Sequence, residues 1–168
     1  LKDWSVEQLV ADFRGPLPIW RSNAQDELVR RGSTVVVNLV RQLHLKQTRA
    51  QQTWTIWTLA RITQQRKAVD AILNALAEAG TVNQRVQAIR GIAFRSRRRN
   101  GAADISAVSQ AMKHNNARIR FASVLAANRA KNKKLVKPLL KLIATEKDRV
   151  VFYSSWHALR VLLSIEER

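Results

Sequence analysis

The chain has 168 residues, 46% of them hydrophobic, and 30 Lys and Arg against 12 Asp and Glu give it a net charge of +18. That apolar share supports a packed core and excludes a disordered polyelectrolyte, while such a field seeks anionic partners. The absence of cysteine excludes disulfides, thiolate catalysis, cysteine-ligated zinc and covalent haem from these residues, and no apolar run approaches the ~20 residues that cross a bilayer. A start at Leu1, with no basic and apolar leader behind it, reads as a domain cut from a longer protein, 1–168 being one repeat domain.

Helix punctuation gives ten segments. Ser5-Val6-Glu7-Gln8 has a capping-box pattern and opens a short helix ending near Phe13, broken by Gly15 and Pro16. A second helix is expected from Pro18 to Arg31, stopped by Gly32, a third from Thr34 to His44 and a fourth from Thr48 to Thr63. Val35-Val36-Val37 alone suggests a strand, but Leu39, Val40 and Leu43 restore a helical period. The fifth and sixth helices are expected over Lys67–Ala79 and Asn83–Arg95, followed by a loop from Ser96 to Gly101. The remaining four are Ala103–Lys113, Ala117–Arg129, Leu135–Thr145 and Arg149–Ser164. Paired, they make hairpins over 5–31, 34–63, 67–95, 103–129 and 135–164.

The second helix of each pair carries an arginine near its start: Arg21, Arg49, Arg85, Arg118 and Arg149. Steps of 28, 36, 33 and 31 residues are solenoid-sized. Seven residues after each stands a large apolar side chain, Leu28, Ile56, Ile92, Leu125 and Trp156, expected to form a repeating core position. One amphipathic hairpin cannot bury its own apolar stripe, so the fold expected is all-α, a right-handed α-α superhelix of about five stacked hairpins.

The stretches Arg85-Val86-Gln87-Ala88-Ile89-Arg90, Arg118-Ile119-Arg120-Phe121-Ala122 and Asp148-Arg149-Val150-Val151-Phe152 resemble HEAT-like repeats across nearly the whole chain. More narrowly, Trp54-Thr55-Ile56-Trp57-Thr58-Leu59-Ala60 and Phe152-Tyr153-Ser154-Ser155-Trp156-His157-Ala158-Leu159 look like the HEAT segment of large planctomycete-type secreted proteins. In those, the repeats lie between a dehydrogenase-like propeller and a cytochrome c domain. The narrower resemblance implies an extracytoplasmic redox protein, although neither the propeller nor a Cys-x-x-Cys-His motif is present here. In resembling repeats the helix-start arginine pairs with a carboxylate in an adjoining turn. Asp148 beside Arg149 fits that role, whereas Arg85 and Arg118 are expected to face an external anion.

From Arg85 to Lys141 there are 15 basic residues and one acidic residue, Asp104. Within this stretch Arg95, Arg97, Arg98 and Arg99 form the densest basic point, and Lys131, Lys133, Lys134, Lys137 and Lys141 a second cluster. Both fall at connections, which in a solenoid line up along one edge as a ridge able to grip phosphates or carboxylates. Trp54 occupies a slot that elsewhere holds Asp26, Arg90, Ser123 and Ser154, all polar. It is therefore expected to face solvent and stack on a nucleobase or anchor a partner, with Arg90 alongside. His44, His114 and His157 have no metal-ligand spacing, and no phosphate loop, Ser-His-Asp pattern or carboxylate pair is legible.

The function expected is a non-catalytic interaction scaffold without a cofactor, presenting a basic surface to an acidic protein or other polyanion. The alternative is nucleic-acid binding. A third reading comes from alkylpurine DNA glycosylases, which use HEAT-like stacks with a carboxylate in a basic concave face. Asp26 is the only residue offered for that carboxylate.

Overall fold

The computed structural model describes residues 1–99 and 104–163. They form α1 (Val6–Asp12), α2 (Pro18–Arg31), α3 (Val36–Leu43), α4 (Arg49–Arg61), α5 (Arg66–Ala79), α6 (Val82–Arg98), α7 (Ser106–Ala111), α8 (Ala117–Ala130), α9 (Val136–Ile143) and α10 (Arg149–Leu162). Two 3-10 turns, Gly32–Val35 and Lys133–Leu135, lead into α3 and α9. There is no strand among the described residues, and this is an all-α repeat fold.

The helices begin where polar side chains satisfy the unpaired N–H groups of a first turn. Ser5, Thr48 and Thr81 each accept the backbone N–H of the glutamine three residues on. The side chains of those glutamines, Gln8, Gln51 and Gln84, accept in return from the cap residue's own N–H. The same reciprocal box thus opens α1, α4 and α6. Asn116 and Asp148 cap α8 and α10 with single side-chain bonds.

The chain divides into two compact units, Leu1–Leu73 and Asn74–Arg168, with the boundary inside α5. In the first unit α2 packs on both α1 and α4, and α3 packs on α4. In the second, α8 lies between α6 and α10, with α7 against α8 and α9 against α10. Within each unit, second helices of successive hairpins thus pack on one another, α2 on α4 in the first and α6 on α8 on α10 in the second, and their inward faces supply that unit's core.

Counting from each helix start gives a cleaner repeat than counting from the arginines. The eleventh residue of α2, α4, α6, α8 and α10 is Leu28, Leu59, Ile92, Ala127 and Leu159, and all five are buried. Burying a leucine or isoleucine here stabilises the fold by about 2 kcal/mol. Two residues of the expected core position fall elsewhere: Leu125 is 38% exposed and Trp156 53% exposed. The markers Arg118 and Arg149 are the second and first residues of their helices, whereas Arg21 and Arg85 are the fourth. Adding seven to Arg118 and Arg149 lands on exposed positions of α8 and α10, although Arg49, also a first residue, leads to the buried Ile56.

The expected loop from Ser96 is, as far as it is described, the last turn of α6 and its cap residue Arg99. Helical phase continues through Ser96, which is fully buried, so no break occurs there. Helix α7 is shorter than its expected span and starts at Ser106, where the Asp104 side chain accepts the backbone N–H. Asn100, Gly101, Ala103 and Ser164, expected at a loop, a helix start and a helix end, lie outside the described residues.

Candidate functional site

Of the helix-start arginines, Arg21 and Arg85 belong to the frame, whereas Arg49, Arg118 and Arg149 are exposed. Arg21, Arg85 and Arg120, each the fourth residue of its helix, reach back to the carbonyls of the preceding turn. Arg21 donates to Gly15 and Pro16, Arg85 Nε to the Gly80 oxygen at 2.7 Å, and Arg120 to the His114 and Asn115 oxygens at 2.8 Å. Arg120 also holds Glu146 through Nε and Nη2, both at 2.7 Å. The arginine–carboxylate pair expected across adjoining turns thus exists, but its arginine is Arg120 rather than Arg118 or Arg149. Arg85, expected to face an anion, is half-buried and directs its Nε to the Gly80 oxygen.

His114 sits beside this arrangement. Burial, then the charges of Arg85 and Arg120, hold its pKa below the ordinary 6.5. Its Nδ1 accepts the Asn116 N–H at 2.9 Å, which requires the neutral ring. Glu146 is likewise held below the ordinary carboxylate range. Its pKa is lowered by the hydrogen bonds from Arg120, against the opposing effect of burial.

The remaining candidates separate. Arg95 is buried in α6, and Arg90 and Arg99 are half-buried, whereas Arg97 and Arg98 are exposed in the last turn. The Arg98 guanidinium lies 5.4 Å from the centroid of the Phe94 ring. Lys131, in the left-handed region at φ 50°, closes α8, and Lys133 and Lys134 are exposed in the 3-10 turn that follows. Arg118 is exposed at the opposite end of α8, roughly 20 Å from Lys131 by helical rise, and cannot join that cluster.

Trp54 is half-buried in the first unit, its ring stacked on the buried Phe13 at 5.9 Å and 24°. It does not offer the exposed stacking face expected of it, and the supposed polar slot is not one face, since Ser123 is fully buried. Asp26 is in a surface ion pair with Arg61 at 2.8 Å. The one residue offered for glycosylase chemistry is thus an exposed carboxylate engaged by a neighbouring arginine.

A cleft of about 520 Å³ lies between the end of α7 and α9, with Lys113, Lys134, Lys137 and Lys141 on its walls and, among the described residues, no acidic side chain lining it. Lys134, Lys137 and Lys141 belong to the cluster legible in the sequence. Lys113 does not, because it comes from the preceding hairpin and only packing brings it to the others.

A family model described as HEAT repeats matches residues 69–160. The chain belongs to the HEAT-repeat family. No curated protein matches this HEAT-repeat chain by sequence. Among solved structures it is similar to the complex of CpcE and CpcF of phycocyanin lyase from Nostoc sp. PCC7120, with a TM-score of 0.69 and 17% identity, over 91% of this chain and 96% of that one. At that identity the likeness concerns the fold. It nevertheless corrects the expectation that the chain is not an enzyme: the same HEAT-repeat fold occurs in a lyase complex, so the fold gives no ground for excluding catalysis. No described helix is long and apolar enough to cross a membrane.

Proposed function

We propose that this HEAT-repeat chain is a docking scaffold that holds an acidic protein against the lysine- and arginine-rich side of its second unit. The observation that carries the reading is the lysine-lined cleft, with no carboxylate in its walls among the described residues. Nearby acids are already engaged: Glu146 by Arg120, and Asp148 as the cap of α10. Arg97, Arg98 and Lys131 add exposed cations where α6 and α8 end. Uncompensated like charges destabilise the folded state, and an acidic partner relieves that repulsion. The similar fold in the CpcE and CpcF complex is one that assembles with a second protein, in keeping with such a role.

The test is fluorescence anisotropy with labelled poly-glutamate, single-stranded DNA and heparin over a series of salt concentrations. Under this reading poly-glutamate stays bound near physiological salt, and replacing Arg97, Arg98 and Lys131 by Ala together weakens it several-fold. Preference for DNA over both other polymers at that salt would replace the reading with nucleic-acid binding, using phosphate contacts without a Trp54 platform.

A further inference from the structure

The cleft beside α9 combines two kinds of surface. Met112 and Leu142, both buried, and Pro138 contribute apolar walls. Lys113, Lys134, Lys137 and Lys141 are exposed around them, and none of the four ammonium groups has an ion-pair partner among the described residues. Lys137 and Lys141, four residues apart, share one face of α9, and Lys134 stands in the 3-10 turn just before it, so the three spread their charge along the cleft. Like charges at this spacing repel one another, and bound anionic groups remove that repulsion.

Charge spread along a groove with an apolar centre does not match one compact phosphate, which would reach one or two lysines and leave the apolar wall in water. It matches an extended segment with carboxylates on either side of an apolar side chain. The volume, about 520 Å³, lies in the range of sites that enclose small ligands and suits a few residues rather than a whole domain face.

Resting on the docking function proposed above, we infer that the α7–α9 cleft is the seat of the partner, taking an acidic segment whose apolar side chain lies on Met112 and Leu142 while its carboxylates meet Lys113, Lys134, Lys137 and Lys141. Apolar contact sets the register and the lysines select against basic or neutral segments.

The experiment titrates the chain, and a Lys137→Glu/Lys141→Glu variant whose circular dichroism matches it, with the fluorescein-labelled peptide acetyl-Glu-Glu-Leu-Glu-Glu-amide, the same peptide with Ala for Leu, and labelled poly-glutamate. Tripolyphosphate serves as competitor. The double reversal should weaken the leucine peptide at least tenfold, the alanine peptide should bind about fivefold more weakly than the leucine peptide, and millimolar tripolyphosphate should displace little of it. Equal binding of the leucine peptide to both proteins, or equal binding of both peptides with ready displacement by tripolyphosphate, overturns the inference. If poly-glutamate binds both proteins alike in those cases, only the cleft assignment fails. If poly-glutamate does not bind the unaltered chain at all, the docking function itself fails.

Discussion

Arg120 grips Glu146 with two bonds of 2.7 Å, and the Glu146 side chain is only 1% accessible. The fork matches the carboxylate plane, and the guanidinium's remaining donor group binds the two carbonyls of the turn before α8. One side chain therefore ties the start of α8 to the turn before α10. Arg120→Ala leaves a carboxylate enclosed without its counter-ion and should lower stability by about 3 kcal/mol, read as a shift of the urea midpoint. Arg118→Ala, two residues away and exposed, should change it by less than about 0.5 kcal/mol. Equal effects would show that the pair does not hold the turns together.

Trp156 and Leu159 test the helix-start register of the repeat. Leu159 is buried at the eleventh position of α10, and its replacement by Ala should cost about 2–4 kcal/mol through lost burial and the cavity left behind. Trp156, though larger, is 53% exposed, and Trp156→Ala should cost less than about 1 kcal/mol. Thermal and urea unfolding followed by circular dichroism decide between this order and the reverse, which the arginine-based count demands.

Helices and family were legible in the sequence because their signals are local. Gly32, the caps Ser5 and Thr48 and the 3.6-residue period lie within a turn or two of the boundaries they set. The box Thr81-x-x-Gln84 repeats that of Ser5 and Gln8 and points to the start of α6. The register of the second helices was harder to read. Arginines recur at these helix starts, Arg118 and Arg120 in one first turn and Arg149 at the start of α10, and only a tertiary carbonyl or carboxylate says which one is structural. The cleft was half legible: three of its lysines lie on one short stretch, but Lys113 joins them across hairpins. Trp54 was misplaced for a similar reason, since its neighbour Phe13 is 41 residues away.

Acid should loosen the fold in two steps. His114 has its pKa lowered by burial and by Arg85 and Arg120, so the unfolded chain takes up that proton at a higher pH than the native one. Its contribution is complete above about 6.5, the unfolded value, and declines below it. Glu27 is held down to about 2 by hydrogen bonds from Arg30 and then Arg31, and Glu146 is lowered by Arg120. Carboxylates lowered in the native state stabilise it above 4.5 and lose that contribution as pH falls, Glu27 between 4.5 and about 2. Urea midpoints should therefore be level above pH 7, fall gently below 6.5 and steeply below 4.5. Glu27→Gln should flatten the lower limb and His114→Asn the upper. A stability maximum near pH 5 would contradict the assignment.

Lys131 ends α8 at φ 50° and ψ 37°, a backbone conformation in which a side chain with a Cβ is strained and glycine is favoured. Its N–H still completes a bond to the Ala127 oxygen, so the turn itself is sound and the strain resides in the residue type. Lys131→Gly should raise stability by about 0.5–1 kcal/mol, the relief at the cap being partly offset by the larger entropy of glycine in the unfolded chain. The same substitution removes one exposed cation from the surface proposed to meet an acidic partner and should weaken poly-glutamate binding at low salt. Paired measurements of urea midpoint and anisotropy on this single variant separate the two roles. A gain in stability with a loss of binding is expected if the lysine is kept at a strained cap for its charge, whereas a gain with unchanged binding removes Lys131 from the docking surface.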